Sequence, residues 1–344
     1  MRTACLLAVL LLAAPAARAA FEKGGLLDEG PRNASLGGCG GAFASDPAGA
    51  KGCPASLARL EGMPVLLGMG AATQADLGTF VAGAGGTVEG IGAAATYRRT
   101  SSAAGSESAL GFGAGLPVDE APGLSLGAGV KLLAADLGPD RATGYGFDAG
   151  VQQLIPLPWA RWEAALALGV EDLLGTLAWK GGLAETPARQ WRAAATVRWA
   201  GATSLLAEVR QVRSDLGREA ISGFGVEHAF TFYGVPLAAR AGWRDGRLRE
   251  GVTTAGLGVR WGPARADYAV AGAARSQGTL HLVAFSWWFG GAGAAGSFGR
   301  AAGPLAGAGR AAGAVSAVPE SGIMRFAGPY QTVRFSLHAP PPGM

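Results

Sequence analysis

From Met63 to Phe289 apolar and polar residues alternate along the chain, and the segment Gln190 to Trp199 shows the pattern most plainly. Trp191, Ala193, Ala195, Val197 and Trp199 fall on one parity; Arg192, Ala194, Thr196 and Arg198 fall on the other. A strand sends successive side chains to opposite faces, so one face of this segment is apolar with an aromatic at each end and the other carries two arginines. The alternation predicts strands over 63–73, 77–86, 88–99, 106–117, 123–136, 142–154, 159–171, 189–200, 203–213, 219–231, 235–245, 250–261, 263–272 and 278–289. That makes about fourteen, an even count of the kind single-chain bacterial barrels have.

The two faces separate along the whole run. Trp162, Ala164, Leu166, Leu168 and Val170 oppose Arg161 and Glu163; Leu205, Ala207 and Val209 oppose Glu208 and Arg210. Phe224, Val226 and Phe230 oppose Gly225 and Glu227, and Leu237, Ala239, Ala241 and Trp243 oppose Arg240 and Arg244. Leu257, Val259 and Trp261 oppose Arg260; Tyr268 and Val270 oppose Arg265 and Asp267; Val283, Phe285, Trp287 and Phe289 share one face of the last strand. A soluble sandwich or propeller also alternates, with its apolar face in a core. Trp162, Trp191, Trp199, Trp243, Trp261 and Trp287, set at strand ends like interfacial girdles, favour an all-β, transmembrane antiparallel β-barrel. On that reading Arg192, Arg198, Glu208, Arg210, Glu227, Arg240, Arg260, Arg265 and Asp267 are the lumen-facing polar candidates. Their mixed signs point to mutual pairing in a closed interior, with an ion or substrate path as the alternative.

The segments outside the alternation differ from it. Residues 1–19 combine Arg2, the apolar run Leu6 to Ala14 and Ala17-Arg18-Ala19, the features of a signal peptide; the run is too short to span a membrane as a helix. Residues 20–62 are rich in Gly, Ala, Ser and Pro and read as a small N-terminal plug segment lodged inside the barrel of residues 63–290. Short helices are expected at Ser35 to Ala44 and at Pro54 to Leu60, where the proline suits a first turn. Residues 291–344 read as a Gly/Ala-rich disordered tail, because they offer too little apolar surface to offset the entropy of ordering. The formal Gly-x-Gly-x-x-Gly match at Gly291 to Gly296 has no amphipathic helix following and no acidic residue about 20 positions on, so it marks no nucleotide site.

Composition narrows the chemistry. Charged residues are 16% and the net charge is +4, with no basic cluster interleaved with aromatics, so nothing supports nucleic-acid binding. Cys39 and Cys53 are the cysteines beyond the leader; in an exported chain such a pair suggests a disulfide, with two free buried thiols as the alternative. The three histidines, His228, His281 and His338, are scattered, which argues against a metal site and against acid–base catalysis. No nucleophile elbow or phosphate loop interrupts the strands, and neither an enzyme nor a cofactor is expected.

Several stretches together resemble the PorV/PorQ family of bacterial outer-membrane proteins, within the broader superfamily of the fatty-acid transporter FadL. They are Arg32-Asn33-Ala34-Ser35-Leu36-Gly37-Gly38 with Gly41-Ala42-Phe43-Ala44, then Asp46 and Cys53-Pro54-Ala55-Ser56-Leu57-Ala58. Leu126 to Leu132, Phe147-Asp148-Ala149-Gly150, Val170 to Lys180, and Arg265 to Ala269 with Gly278-Thr279-Leu280-His281 and Phe289-Gly290 continue the likeness through residue 290. Cys53 stands where the family usually has Asn, and Gly49-Ala50-Lys51-Gly52 lacks the usual preceding aromatic. The resemblance implies a fourteen-stranded barrel with a plug in the bacterial cell outer membrane. The expected partners are the lipid bilayer and the outer-membrane assembly machinery, with either a hydrophobic ligand or an exported protein. Passive transport or binding of a hydrophobic or small ligand ranks first. A component of protein secretion or surface attachment ranks second, and a structural barrel third.

Overall fold

In the computed structural model the structure describes residues 26–43, 46–73, 76–157, 159, 161–214, 217–246, 249–272 and 278–289. The expected signal peptide and Gly/Ala-rich tail lie outside the described residues. The strands are β1 (Met63–Ala72), β2 (Leu77–Val88), β3 (Ile91–Ser102), β4 (Gly105–Pro117) and β5 (Leu124–Leu137). They continue as β6 (Asp140–Pro156), β7 (Trp162–Trp179), β8 (Ala184–Glu185), β9 (Arg189–Trp199) and β10 (Thr203–Ser214). The last five are β11 (Gly217–Phe232), β12 (Val235–Gly246), β13 (Arg249–Trp261), β14 (Ala264–Gly272) and β15 (Thr279–Phe289). Each pairs antiparallel with its neighbours, and β1 pairs with β15 over Met63↔Phe289 to Ala72↔Leu280. The ring is therefore closed. Fourteen strands form it; β8 only extends the end of β7, opposite Leu177 and Ala178. Closure leaves no open sheet edge, which is what a strand protein needs in hydrocarbon.

Both β1 and β15 have one end at Met63 and Phe289, here the proximal end; the opposite end is distal. Two proximal connections are two-residue turns. Glu89-Gly90 and Tyr233-Gly234 both have positive φ at both positions (52° and 83°, 47° and 78°), the geometry of two-residue hairpins matched to strand twist. The longest described connection, 180–188, is distal.

The alternation is resolved as inside and outside. Trp191 and Trp199 are 51% and 49% exposed, whereas Arg192 and Arg198 are 4% and 2% exposed. On β1, Val65, Leu67 and Met69 face out; on β15, Val283, Phe285, Trp287 and Phe289 do. An apolar outer belt around a closed sheet is the surface of a membrane barrel. Arg161 is a correction: it lies in the turn before β7 with φ 77° and is exposed, not inward. The strand expected to end at residue 171 continues to Trp179. Ala149 pairs with Val170 and Phe147 with Leu174, so Glu171, Asp172 and Leu173 oppose the single residue Asp148. This bulge sets two carboxylates side by side, interrupting the alternation on which the sequence reading relied.

Residues 26–43 and 46–60 run through the interior. A 3-10 turn, Leu26–Glu29, leads into the short helix α1 (Gly30–Ala34), and further 3-10 turns cover Ala48–Gly52 and Pro54–Arg59. The helix expected from Ser35 onward does not form. Gly37 and Gly38 have φ of 70° and 82°, and the Gly38 N–H donates to Asn33 O at 2.8 Å, so the chain reverses there. The expected disulfide does not form either. Cys39 and Cys53 are both free and buried, because each thiol seats against a different strand: Cys39 beside Gly223 of β11, Cys53 beside Gly150 of β6.

Candidate functional site

The inward face of β9 to β14 carries charges, and the buried N-terminal segment supplies their missing partners. Arg192 sits within 3.3 Å of Glu29 and 3.0 Å of both Glu171 and Glu208. Arg210 donates to Glu29, to Glu208 and to the Gly38 carbonyl. The N–H groups of Gly40 and Gly41 both donate to Glu208 Oε2 at 3.1 Å. A second group is built the same way. Arg32 donates to both oxygens of Glu227, at 3.1 and 2.9 Å. Arg240 bridges Glu227 at 2.6 Å and Asp267 at 2.8 Å, and Arg265 holds Asp267 at 2.6 Å. Such buried pairs are costly to desolvate, but breaking one leaves an uncompensated charge, so together they fix where the segment lies.

Burial raises the Glu29 carboxyl, but the Arg192, Arg210 and Lys51 cations outweigh it and hold it well below the usual carboxylate range. Burial pushes the Cys39 thiol up to about 12 and the Cys53 thiol up to about 11, so neither is a nucleophile at neutral pH.

The opposite wall accepts the segment by shape. Gly92, Gly115, Gly127, Gly150 and Gly169 are direct cross-strand partners across β3 to β7. The row faces the chain at Gly52 to Ala58; a Cβ on Gly115 would stand 2.6 Å from Pro54 O and 2.7 Å from Ala58 N. Opposite it, a Cβ on Gly225 of β11 would stand 2.6 Å from Leu36 O. Backbone thus lies directly on backbone at both walls. Between the segment and β2–β6 a cavity of about 80 Å³ remains. Pro47, Ala48, Leu57, Val81, Ala94 and Ala109 give it apolar walls, and Arg98, Lys131 and Asp148 a polar side. It adjoins the β7 bulge, where Lys131 contacts Asp148 at 2.9 Å and Asp172 at 3.1 Å, and Asp148 accepts the Asp172 N–H at 2.9 Å.

All nine inward polar residues read from the alternation lie buried on the inner face. Arg192, Glu208 and Arg210 come together; Glu227, Arg240, Arg265 and Asp267 come together. Arg198 stands apart, paired with Glu163 at 3.0 Å and stacked 4.4 Å from the Phe43 ring. Arg260 donates to Gly262 O at 3.2 Å and faces the Trp288 ring. Sequence reasoning missed Glu29, Arg32, Lys131, Asp148, Glu171 and Asp172. The signal available was the adjacent pair Glu171-Asp172 inside an apolar strand, and Lys131 as the sole charge in the strand run 124–135.

No protein-family model matches the chain, and no curated protein matches its sequence. Solved structures do resemble it. The CymD monoaromatic hydrocarbon channel superposes with a TM-score of 0.57 at 14% identity, covering 78% of this chain and 100% of that one. A deltaS2 mutant of the TodX monoaromatic hydrocarbon channel gives 0.53 at 12%, covering 77% and 100%. A Pseudomonas aeruginosa FadL homologue gives 0.53 at 11%, covering 76% and 98%. At these identities the likeness is one of fold. The chain forms a closed fourteen-stranded β-barrel with the fold of these channels.

Proposed function

We propose that this barrel is a passive channel for a hydrophobic or small ligand, held closed by residues 26–60 acting as a plug. The observation that carries this reading is the buried segment, ion-paired to one wall and laid on glycines at the other. The described cavity beside it, about 80 Å³, is smaller than the ~150 Å³ apolar cavity that holds benzene, so a ligand of that size enters it only when the plug shifts. The largely apolar lining of that space suits an apolar guest. Two of the fold neighbours are described as monoaromatic hydrocarbon channels, which supports the same class of ligand here. The narrower likeness to PorV/PorQ proteins, with a role in secretion or surface attachment, ranks second: the short described connections offer an exported protein little surface.

Uptake by intact cells tests the reading. Cells carrying the barrel take up a small aromatic hydrocarbon faster than cells lacking it. Tethering the plug to the wall with the pair Ala42→Cys and Gln152→Cys, whose side chain donates to Ala42 O, removes the difference under oxidation and restores it under reduction. Equal uptake with and without the barrel refutes transport of that ligand class.

A further inference from the structure

Three arginines form a row on the outer face at the distal rim. Arg189 of β9 pairs directly with Arg213 of β10, and Arg213 pairs directly with Arg218 of β11. All three share the parity of the outward residues: Arg189 that of Trp191, Arg213 that of Val209, Arg218 that of Phe224. Directly opposed strand residues have Cα atoms about 4.5–5.5 Å apart, and like charges at that spacing repel. Among the described residues none of the three has an ion-pair or hydrogen-bond partner, and Arg189 Nε is buried without one. Glu219 faces inward, and the outward Asp245 pairs opposite Ser222, four residues along β11 from Arg218. Among the described residues the row is a run of outward cations with no counter-charge beside it.

Its height identifies the anion. Trp191 pairs with Gln211 one step inward along the same face, and below it the face runs through Ala193 and Val209 to Trp199 at the proximal end. The arginines therefore stand two residues, about 7 Å along the strand, beyond the distal aromatic level, where headgroup phosphates begin. The distal end carries the longest described connection, 180–188, the feature of the extracellular side. Guanidinium groups bind phosphate oxygens in pairs, which a mobile counter-ion does not exploit. We propose that Arg189, Arg213 and Arg218 form a binding surface for the phosphate groups of the outer leaflet's phosphorylated glycolipid, lipopolysaccharide.

The test uses the purified barrel in a zwitterionic detergent, with lipopolysaccharide, its dephosphorylated form and inorganic phosphate as probes. Heat modifiability on a gel verifies the fold of each variant and reads its unfolding midpoint. Lipopolysaccharide is expected to raise the wild-type midpoint. The variant R189Q/R213Q/R218Q is expected to bind it about 100-fold more weakly, from the loss of three cations near an anionic surface. R213Q alone, which keeps the test open should the triple variant fail to fold, gives a sign reversal. Without lipid its midpoint rises, because repulsion is relieved; with lipid its stabilisation is smaller than wild type. R141Q, whose parent pairs with Asp136 at 3.2 Å on the same rim, keeps wild-type affinity. Wild-type binding by the triple variant overturns the proposal. So does an equal response to dephosphorylated lipid, the same response to inorganic phosphate alone, an equal loss in R141Q, or a lower lipid-free midpoint in R213Q.

Discussion

Replacing Gly115 with Ala places a methyl carbon 2.6 Å from Pro54 O, 2.7 Å from Ala58 N and 3.0 Å from Ala55 O. All three are main-chain atoms, so no side chain can swing aside, and either β4 or the plug must move. The strand is held by Gly92 on one side and Gly127 on the other within a closed ring, so the plug gives way. Overpacking of this kind costs about 1–3 kcal/mol, which shifts the balance between seated and lifted plug by about 5- to 150-fold. Cys53 reports it. In wild type the thiol is buried and its titration lies near 11, so a water-soluble thiol reagent at pH 8 reacts only through rare openings. In a chain with Cys53 as its sole cysteine (Cys5→Ser, Cys39→Ser), Gly115→Ala accelerates labelling by that factor while heat modifiability persists. Gly78→Ala serves as control, since the nearest atom to its added carbon is 3.7 Å away. Labelling of Gly115→Ala at the wild-type rate, with the barrel folded, refutes the idea that the glycine row seats the plug.

Arg32→Ala leaves Glu227 with Arg240 as its remaining partner and removes a two-bond charged contact; the plug's hold weakens by about 1.5–3 kcal/mol, read as faster proteolysis of residues 26–43. Glu29 titrates below its unfolded value, so its contribution is fully present above about pH 4.5 and disappears as pH falls toward the folded value. Channel leak is therefore flat from about pH 8 to about pH 5 and rises below about pH 4; a rise centred near neutral pH contradicts the assignment. Asp148→Ala removes the acceptor for the Asp172 N–H and a partner of Lys131, and amide exchange at residues 171–173 speeds up while β10 to β13 keep wild-type protection.

The barrel wall was legible because its physics is local. A period of two with one face apolar is written into each strand, and Arg192, Arg198, Glu208 and Arg210 reveal their side of the sheet by parity alone. The plug's path was not legible, because it depends on partners 163 to 195 residues away, as Glu29 with Arg192 and Arg32 with Glu227 show. Nothing next to Arg32 marks it as a core ion. The same holds for the cysteines: two thiols in an exported chain suggest a bond, but glycine notches on separate strands decide where each goes. The bulge at Glu171-Asp172 escaped for the opposite reason. The rule used to find strands treats two adjacent carboxylates as an end, whereas Asp148 and Lys131, from neighbouring strands, make them part of the wall.

Ion conductance in planar bilayers tests closure by the plug most directly. The wild-type barrel is compared with a chain lacking residues 26–60, both verified as folded by heat modifiability. The expected result is little steady current from wild type and a large, porin-like current once the segment is removed. Equal conductance from the two proteins contradicts the claim that this segment closes the barrel.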